Sequence, residues 1–148
     1  MDVRQDNGPF NIFTEEEITV EFYDCDPMRV VWNGTYLNYF EIGRRKLLEK
    51  IYFDYYEMEK SCFVFPVIEA SLKYCRPLRF KDRALIRAIL VEYENCLRIK
   101  YEIRNIGTGQ ITTKGVTTQM AFDTRTNESL FVSPRILIEK VEAIIKGN

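Results

Sequence analysis

The sequence predicts an α+β domain: a five-stranded antiparallel sheet curled around one long central helix, with a second helix at the C-terminus. Three observations carry this. From about Thr35 to Ile51 the apolar residues recur at helical spacing and spread beyond one stripe, so the helix they form is enclosed. Four segments of period-two alternation follow at hairpin spacing. The repeated strand–helix–strand pattern of a doubly wound domain is missing.

The elements follow in order. From Glu15 to Tyr23, Ile18, Val20 and Phe22 alternate with Thr19, Glu21 and Tyr23, which reads as a strand. Pro27, Asn33 and Gly34 mark a loop. The helix carries Tyr36, Phe40, Leu47 and Ile51 on one stripe with Gly43 among them. A mid-helix Gly costs roughly 1 kcal/mol relative to Ala, so close approach of a sheet is expected there. Tyr52 to Lys60 reads as a short helical or irregular connector. The second strand runs from Val64 through Pro66, Ile68, Ala70 and Leu72 to Tyr74, and the third carries Ala84, Ile86, Ala88 and Leu90. In the fourth, Leu97, Ile99, Tyr101 and Ile103 alternate with Arg98, Lys100, Glu102 and Arg104, giving one wet face. Gly107 and Gly109 form a turn, and Val116, Thr118, Met120 and Phe122 line the fifth strand. Ser133 is placed to cap the last helix, with Pro134 at its first position and Leu137, Val141 and Ile144 as its stripe.

The chain's 148 residues suit one domain over 14–148, behind a loose tail over 1–13. A net charge of -1 argues against a nucleic-acid binder held by bulk charge. Cys25, Cys62, Cys75 and Cys96 form no C-x-x-C pair and no histidine is present, so no metal-ligand pattern arises. They read as free thiols in a reducing cytoplasm. The N-terminus carries no signal-peptide pattern, and no apolar run is long enough for a membrane span.

Chemistry concentrates in Asp24-Cys25-Asp26-Pro27, just before the enclosed helix. Paired carboxylates in a turn ordinarily cap local amides. Here they lie between a strand end and a helix start, where backbone N–H groups and the helix dipole can polarise a carbonyl. Metal-dependent nucleotide-sugar transferases also use D-x-D, but on a doubly wound domain that this chain cannot supply. Glu41 is a competing carboxylate, set to pair with Arg44 or Arg45 on its own helix. Glu69 lies on the polar face of its strand. Cys25 has no histidine to make it a thiolate and reads as structural. Lys73, Arg76, Arg79, Lys81 and Arg83 flank Pro77 as a solvated strand end or a phosphate-binding rim. Tyr52, Phe53, Tyr55 and Tyr56 read as packing or interface residues.

These residues carry a resemblance. Glu21-Phe22-Tyr23-Asp24-Cys25-Asp26-Pro27, with Val31-Trp32 and Tyr36-Leu37-x-x-Phe40-Glu41, resembles the signature of the 4-hydroxybenzoyl-CoA thioesterase family of hotdog-fold proteins. Glu69-Ala70-Ser71 and Tyr74-x-Arg76-Pro77-Leu78-x-Phe80-x-Asp82 resemble its second block. The resemblance implies a hotdog fold, a homodimer or homotetramer with the active site between two subunits, and hydrolysis of an acyl-CoA thioester by Asp26. Nucleophilic attack and activation of water are both open to that carboxylate. Backbone N–H groups at Gly34, Thr35 and Tyr36 would hold the carbonyl oxygen. Arg29, Trp32, Asn33, Arg76, Arg79 and Lys81 would meet the substrate, with the basic ones on the CoA phosphates. No cofactor and no metal are implied, CoA being part of the substrate.

The chain departs from the family at several positions. Arg29 and Lys81 stand where Gly is frequent, and a Gly permits positive φ that other residues adopt reluctantly. Either the loop bends differently or Arg29 touches the substrate. The histidine and tyrosine that some members have at Asn33 and Phe22 are absent, so their assisting roles do not carry over. The missing histidine also argues against hotdog dehydratases and hydratases. An acyl-carrier-protein thioesterase and a non-catalytic acyl-CoA-binding protein are the alternatives.

Overall fold

The computed structural model describes residues 6–147. The chain runs β1 (Phe13–Thr19), α1 (Thr35–Lys50), α2 (Tyr55–Ser61), β2 (Phe63–Val64), β3 (Val67–Tyr74), β4 (Arg83–Glu92), β5 (Leu97–Asn105), β6 (Ile111–Gln119), β7 (Phe122–Asp123), β8 (Glu128–Ser129) and α3 (Arg135–Gly147). The main sheet has the order β1-β4-β5-β6-β3 and every pairing is antiparallel. β2, β7 and β8 form a small second sheet. The five-stranded sheet packs against α1, which is the hotdog architecture. No helix of the described residues is long and apolar enough to cross a membrane.

α1 is seated by the glycine that the sequence singles out. A Cβ on Gly43 would stand 3.0 Å from Ile86 Cγ2 and 3.3 Å from Ala88 Cβ on β4. One turn earlier, Phe40 stacks on Tyr101 of β5 with ring centroids 4.3 Å apart and planes 5° apart. Such a pair adds about 0.5–1.5 kcal/mol beyond its burial. Gly115 of β6 gives the Phe40 ring its room, since a Cβ there would lie 2.3 Å from Phe40 Cε2. Tyr101 is fully buried and its hydroxyl bonds Thr117 Oγ1 at 2.8 Å, so the core polar group is satisfied.

Four expectations are corrected. The tail expected over 1–13 is anchored in its second half, while its first five residues lie outside the described ones. Ile12 is fully buried and its carbonyl takes the Leu90 N–H at 2.9 Å, Phe10 meets Tyr93 edge-on, and Phe13 already belongs to β1. β1 ends early because the Val20 N–H turns to the Asp82 carbonyl at 2.8 Å, and the chain enters a 3-10 turn over Phe22–Asp24. Phe22 is therefore 78% exposed instead of lining the inner face. The second expected strand splits at Pro66, with Val64 pairing Phe122 in the small sheet and Val67 onward pairing β6. Ser133 does not cap α3: its buried hydroxyl has no partner among the described residues, while the Pro134 carbonyl takes the Leu137 N–H at 3.1 Å.

β3 is a sheet edge. Ala70, Leu72 and Tyr74 pair with Thr117, Gly115 and Thr113, keeping the expected face, but a bulge between Val67 and Glu69 takes Ile68 out of step. Apart from Leu72, every β3 residue is exposed, Glu69 included.

Candidate functional site

The segment from Glu21 to Gly34 folds into a small hairpin over the start of α1. Its tip is a turn closed by the Arg29 N–H to the Asp26 carbonyl at 2.9 Å, and the Asp26 N–H reaches the Val30 carbonyl at 2.9 Å. Cys25 bridges Val31, and Val30 bridges Arg79, so the hairpin lies along the 78–80 segment. Pro27 sits at the second turn position, where its fixed φ is favoured. Arg29 follows at φ 67°. A hairpin whose turn is followed by a left-handed residue ordinarily places Gly there. The loop therefore keeps the bend a glycine would give, with Arg29 in the strained conformation. Lys81 does the same at φ 74°, and its N–H bonds the Val20 carbonyl at 3.1 Å.

The two aspartates hold different positions. Asp24 is tied into the protein through Oδ2, which accepts the Glu21 N–H and the Tyr39 hydroxyl, both at 2.9 Å. Its carbonyl accepts the Trp32 N–H at 3.0 Å and the Thr35 hydroxyl at 3.2 Å. Asp26 is half-buried, and only Oδ1 is bonded, to the Met28 N–H at 2.8 Å. Its Oδ2 has no partner among the described residues. Asp26 opens into a cleft of about 580 Å³ lined by Phe22, Cys25, Asp26, Pro27, Arg29 and Phe80. Phe22 and Phe80 meet edge-to-face at 5.7 Å and wall it with apolar surface. Burial, then the Asp24 and Asp26 carboxylates, push the Cys25 thiol up from its ordinary value. It stays protonated at neutral pH, in keeping with a structural role.

At the start of α1 the expected donors divide. The Thr35 N–H is directed to the Trp32 carbonyl at 2.9 Å, so it is not free to hold a ligand. The Gly34 and Tyr36 N–H groups have no partner among the described residues. Trp32 is 59% exposed and its indole folds over Gly34, where a Cβ would lie 2.1 Å from Cζ3. Gly34 is thus required by the ring above it. The Asn33 carbonyl accepts the Tyr74 hydroxyl from β3 at 3.1 Å, tying the helix start to the sheet edge.

The cations are spread along one side. Arg29 alone of them lines the Asp26 cleft. Lys81 Nζ stands 5.4 Å from the centroid of the Phe80 ring, at the rim. Arg76 and Arg79 line a neighbouring depression of about 370 Å³ with Asp82, Thr108 and Gln110. None of these four makes an ion pair among the described residues. Glu41 lies elsewhere, paired with Arg44 and accepting the Tyr55 hydroxyl. No group of three or more possible metal-ligating side chains occurs among the described residues.

Sequence reasoning did not connect Tyr39 to Asp24, and it placed Phe80 and Asp82 in a motif without finding them as loop partners. The Asp82 carbonyl takes the Val20 N–H at 2.8 Å, and Phe80 meets Phe22 across the cleft. These contacts join distant segments, and no local periodicity reports them.

Comparison with known proteins fits this geometry. The family model of the thioesterase-like superfamily matches residues 20–141. YneP of Bacillus subtilis (strain 168), provisionally named an acyl-CoA thioesterase, is 27% identical over 74% of this chain and 80% of its own length. The chloroplastic acyl-acyl carrier protein thioesterase ATL3 of Arabidopsis thaliana is 34% identical over 51% of this chain, a match that spans 40% of ATL3. The DHNA-CoA thioesterase structure from Staphylococcus aureus superposes with a TM-score of 0.80 at 25% identity, covering 91% of this chain and 90% of that one.

Proposed function

Because the chain belongs to the thioesterase-like superfamily, we propose that it hydrolyses an acyl- or aryl-CoA thioester to the free acid and CoA, as the 4-hydroxybenzoyl-CoA family does. The observation that carries this is the Asp26 carboxylate, oriented through Oδ1 and unengaged at Oδ2, facing a largely apolar cleft in a hairpin that Asp24 bonds to α1. A thioester has an electrophilic carbonyl and a good leaving group, so one carboxylate and an oxyanion site suffice without histidine. Asp26 attacks the carbonyl carbon or takes a proton from water. The Gly34 and Tyr36 N–H groups are the remaining donors for the oxyanion, and losing one such donor typically costs roughly 100- to 1,000-fold in rate. The unpaired Arg29, Arg76, Arg79 and Lys81 suit the CoA phosphates, and the chemistry needs no cofactor.

The long exposed edge of β3 supports pairing with a second copy, as a homodimer or a tetramer of dimers. Through Tyr74 and Asn33 that edge touches the helix start, which favours a site completed by the partner. A second reading, an acyl-carrier-protein thioesterase in the cytoplasm, is favoured by the same cations and by the likeness to ATL3. A non-catalytic acyl-CoA binder loses its main support, since Arg29 does not rebend the loop.

The test is a panel of alkyl- and aryl-CoA thioesters beside acyl-carrier protein, with released thiol followed by a chromogenic reagent. We expect turnover, and a loss of roughly 10³- to 10⁴-fold in Asp26→Asn. Equal turnover in Asp26→Asn removes Asp26 from the chemistry.

A further inference from the structure

We propose that Tyr39 is a positioning residue for Asp26, acting through Asp24 to fix the hairpin against the same helix whose first turn would receive the thioester carbonyl. The inference rests on the thioesterase reading above and adds to it a residue that no motif marks.

Thr35 and Tyr39 are one helical turn apart on α1, so their side chains lie on one face. Both reach Asp24: the Thr35 hydroxyl meets its carbonyl at 3.2 Å and the Tyr39 hydroxyl its carboxylate at 2.9 Å. Among the described residues, Asp24 is the one position between Glu21 and Val31 that bonds to α1 side chains. The hairpin's other ties, Val31 to Leu78 and Val30 to Arg79, run to the sheet side. Asp26 is two residues away, and its own backbone bonds close the hairpin upon itself. The carboxylate and the helix start thus share one frame through Asp24.

Tyr39 suits this task. Its ring is buried and meets Tyr36 edge-on at 5.8 Å, so the side chain has one seating. Burial, then the hydrogen bond to Asp24, raise its hydroxyl well above the ordinary tyrosine range, so it remains a donor at any working pH. A phenylalanine would fill the same space, so the hydroxyl is dispensable for packing and its removal isolates the contact.

The experiment compares wild type, Asp26→Asn, Tyr39→Phe, Asp24→Ala and the Asp24→Ala/Tyr39→Phe double variant. Steady-state kinetics use the best thioester of the panel, and amide hydrogen exchange is read at Glu21, Met28 and Arg29. We expect kcat of Tyr39→Phe to fall about 10- to 100-fold with KM within about twofold. Exchange at the three amides should rise about tenfold, with β4 and β5 unchanged. Tyr39→Phe should add nothing further in the Asp24→Ala background, where the hydroxyl has lost its acceptor. With wild type active and Asp26→Asn inactive, unchanged exchange, unchanged kcat or a rise in KM alone overturns the positioning role and leaves the thioesterase reading standing. A wild type inactive on every thioester overturns both.

Discussion

Gly43 and Arg29 are each poorly matched to their backbone, and in opposite senses. Gly43 lies inside α1, where a helix prefers Ala by roughly 1 kcal/mol. Arg29 holds φ 67°, where an L-residue other than Gly is disfavoured by about 1–2 kcal/mol. At Gly43 the contacts supply the reason, because Ile86 and Ala88 leave no room for a side chain. At Arg29 no packing or ion pair among the described residues offsets the strain, and the side chain lines the Asp26 cleft. The hairpin uses that bend but not the arginine that makes it, and this choice of residue beside Asp26 motivates the substrate contact proposed above. The two regions should therefore respond to mutation in different currencies, one in stability and the other in rate.

Asp26→Asn gives the sharpest contrast. Its large rate loss should leave the urea midpoint close to that of wild type, since Oδ1 can still accept the Met28 N–H. A large drop in that midpoint would place Asp26 with the packing residues. Phe40→Ala comes next, with a loss of about 3–5 kcal/mol from emptying the space over Tyr101 and Gly115. Gly43→Val should cost about 2–3 kcal/mol by overpacking α1 against β4. Both are measured by denaturant unfolding, and in both kcat/KM per folded molecule should hold. Arg29→Gly gives the smallest stability change, a gain of about 1 kcal/mol or less once the added freedom of the unfolded chain is offset. It should raise KM for CoA substrates about 3- to 10-fold. If KM holds instead, the strain at Arg29 serves no substrate.

A pH series tests burial. Burial pushes the Tyr101 hydroxyl up from near 10 to about 12. The folded protein then holds that proton more tightly than the unfolded chain. The contribution is complete below about pH 10 and is lost as pH rises towards 12. Tyr36, Tyr39 and Tyr93 are raised in the same direction, each mainly by burial. Burial also raises the Cys25 and Cys96 thiols from near 9, so urea midpoints should be flat up to about pH 9 and then fall.

Much of this was legible in the chain. α1, its enclosure and the close approach at Gly43 follow from spacing alone, and β5 from its clean alternation. The assignment of the chemistry to Asp26 over Asp24 came from the resemblance, since placement treats the two alike. What the sequence hid were the points where alternation continues after pairing has stopped. Val20 to Phe22 alternates like a strand, yet the Val20 N–H goes to Asp82 and the chain turns away. Val64 alternates with Ile68, yet they belong to different sheets. Alternation reports which residues could share a face and not which partner takes their hydrogen bonds. Gly115 carried a readable signal, since a glycine inside a strand marks close approach. The Tyr39–Asp24 bond carried none, because its two ends are joined only by the folded path between them.

The strand order also bears on how the chain reaches this state. β4, β5 and β6 are consecutive and joined by short turns, with Ile99 opposite Leu90 on one side and Thr117 on the other. The flanking strands come from far away: Glu16 of β1 must find Ile86, and Ala70 of β3 must find Thr117. The entropy of closing a loop grows with its length, so the central meander closes at lower cost than either flank. Mutations in the β5 turns should therefore slow refolding, whereas those in β1 and β3 should mainly hasten unfolding. The hairpin that carries Asp26 follows β1 directly, so this loop should take shape among the last parts of the molecule to become native.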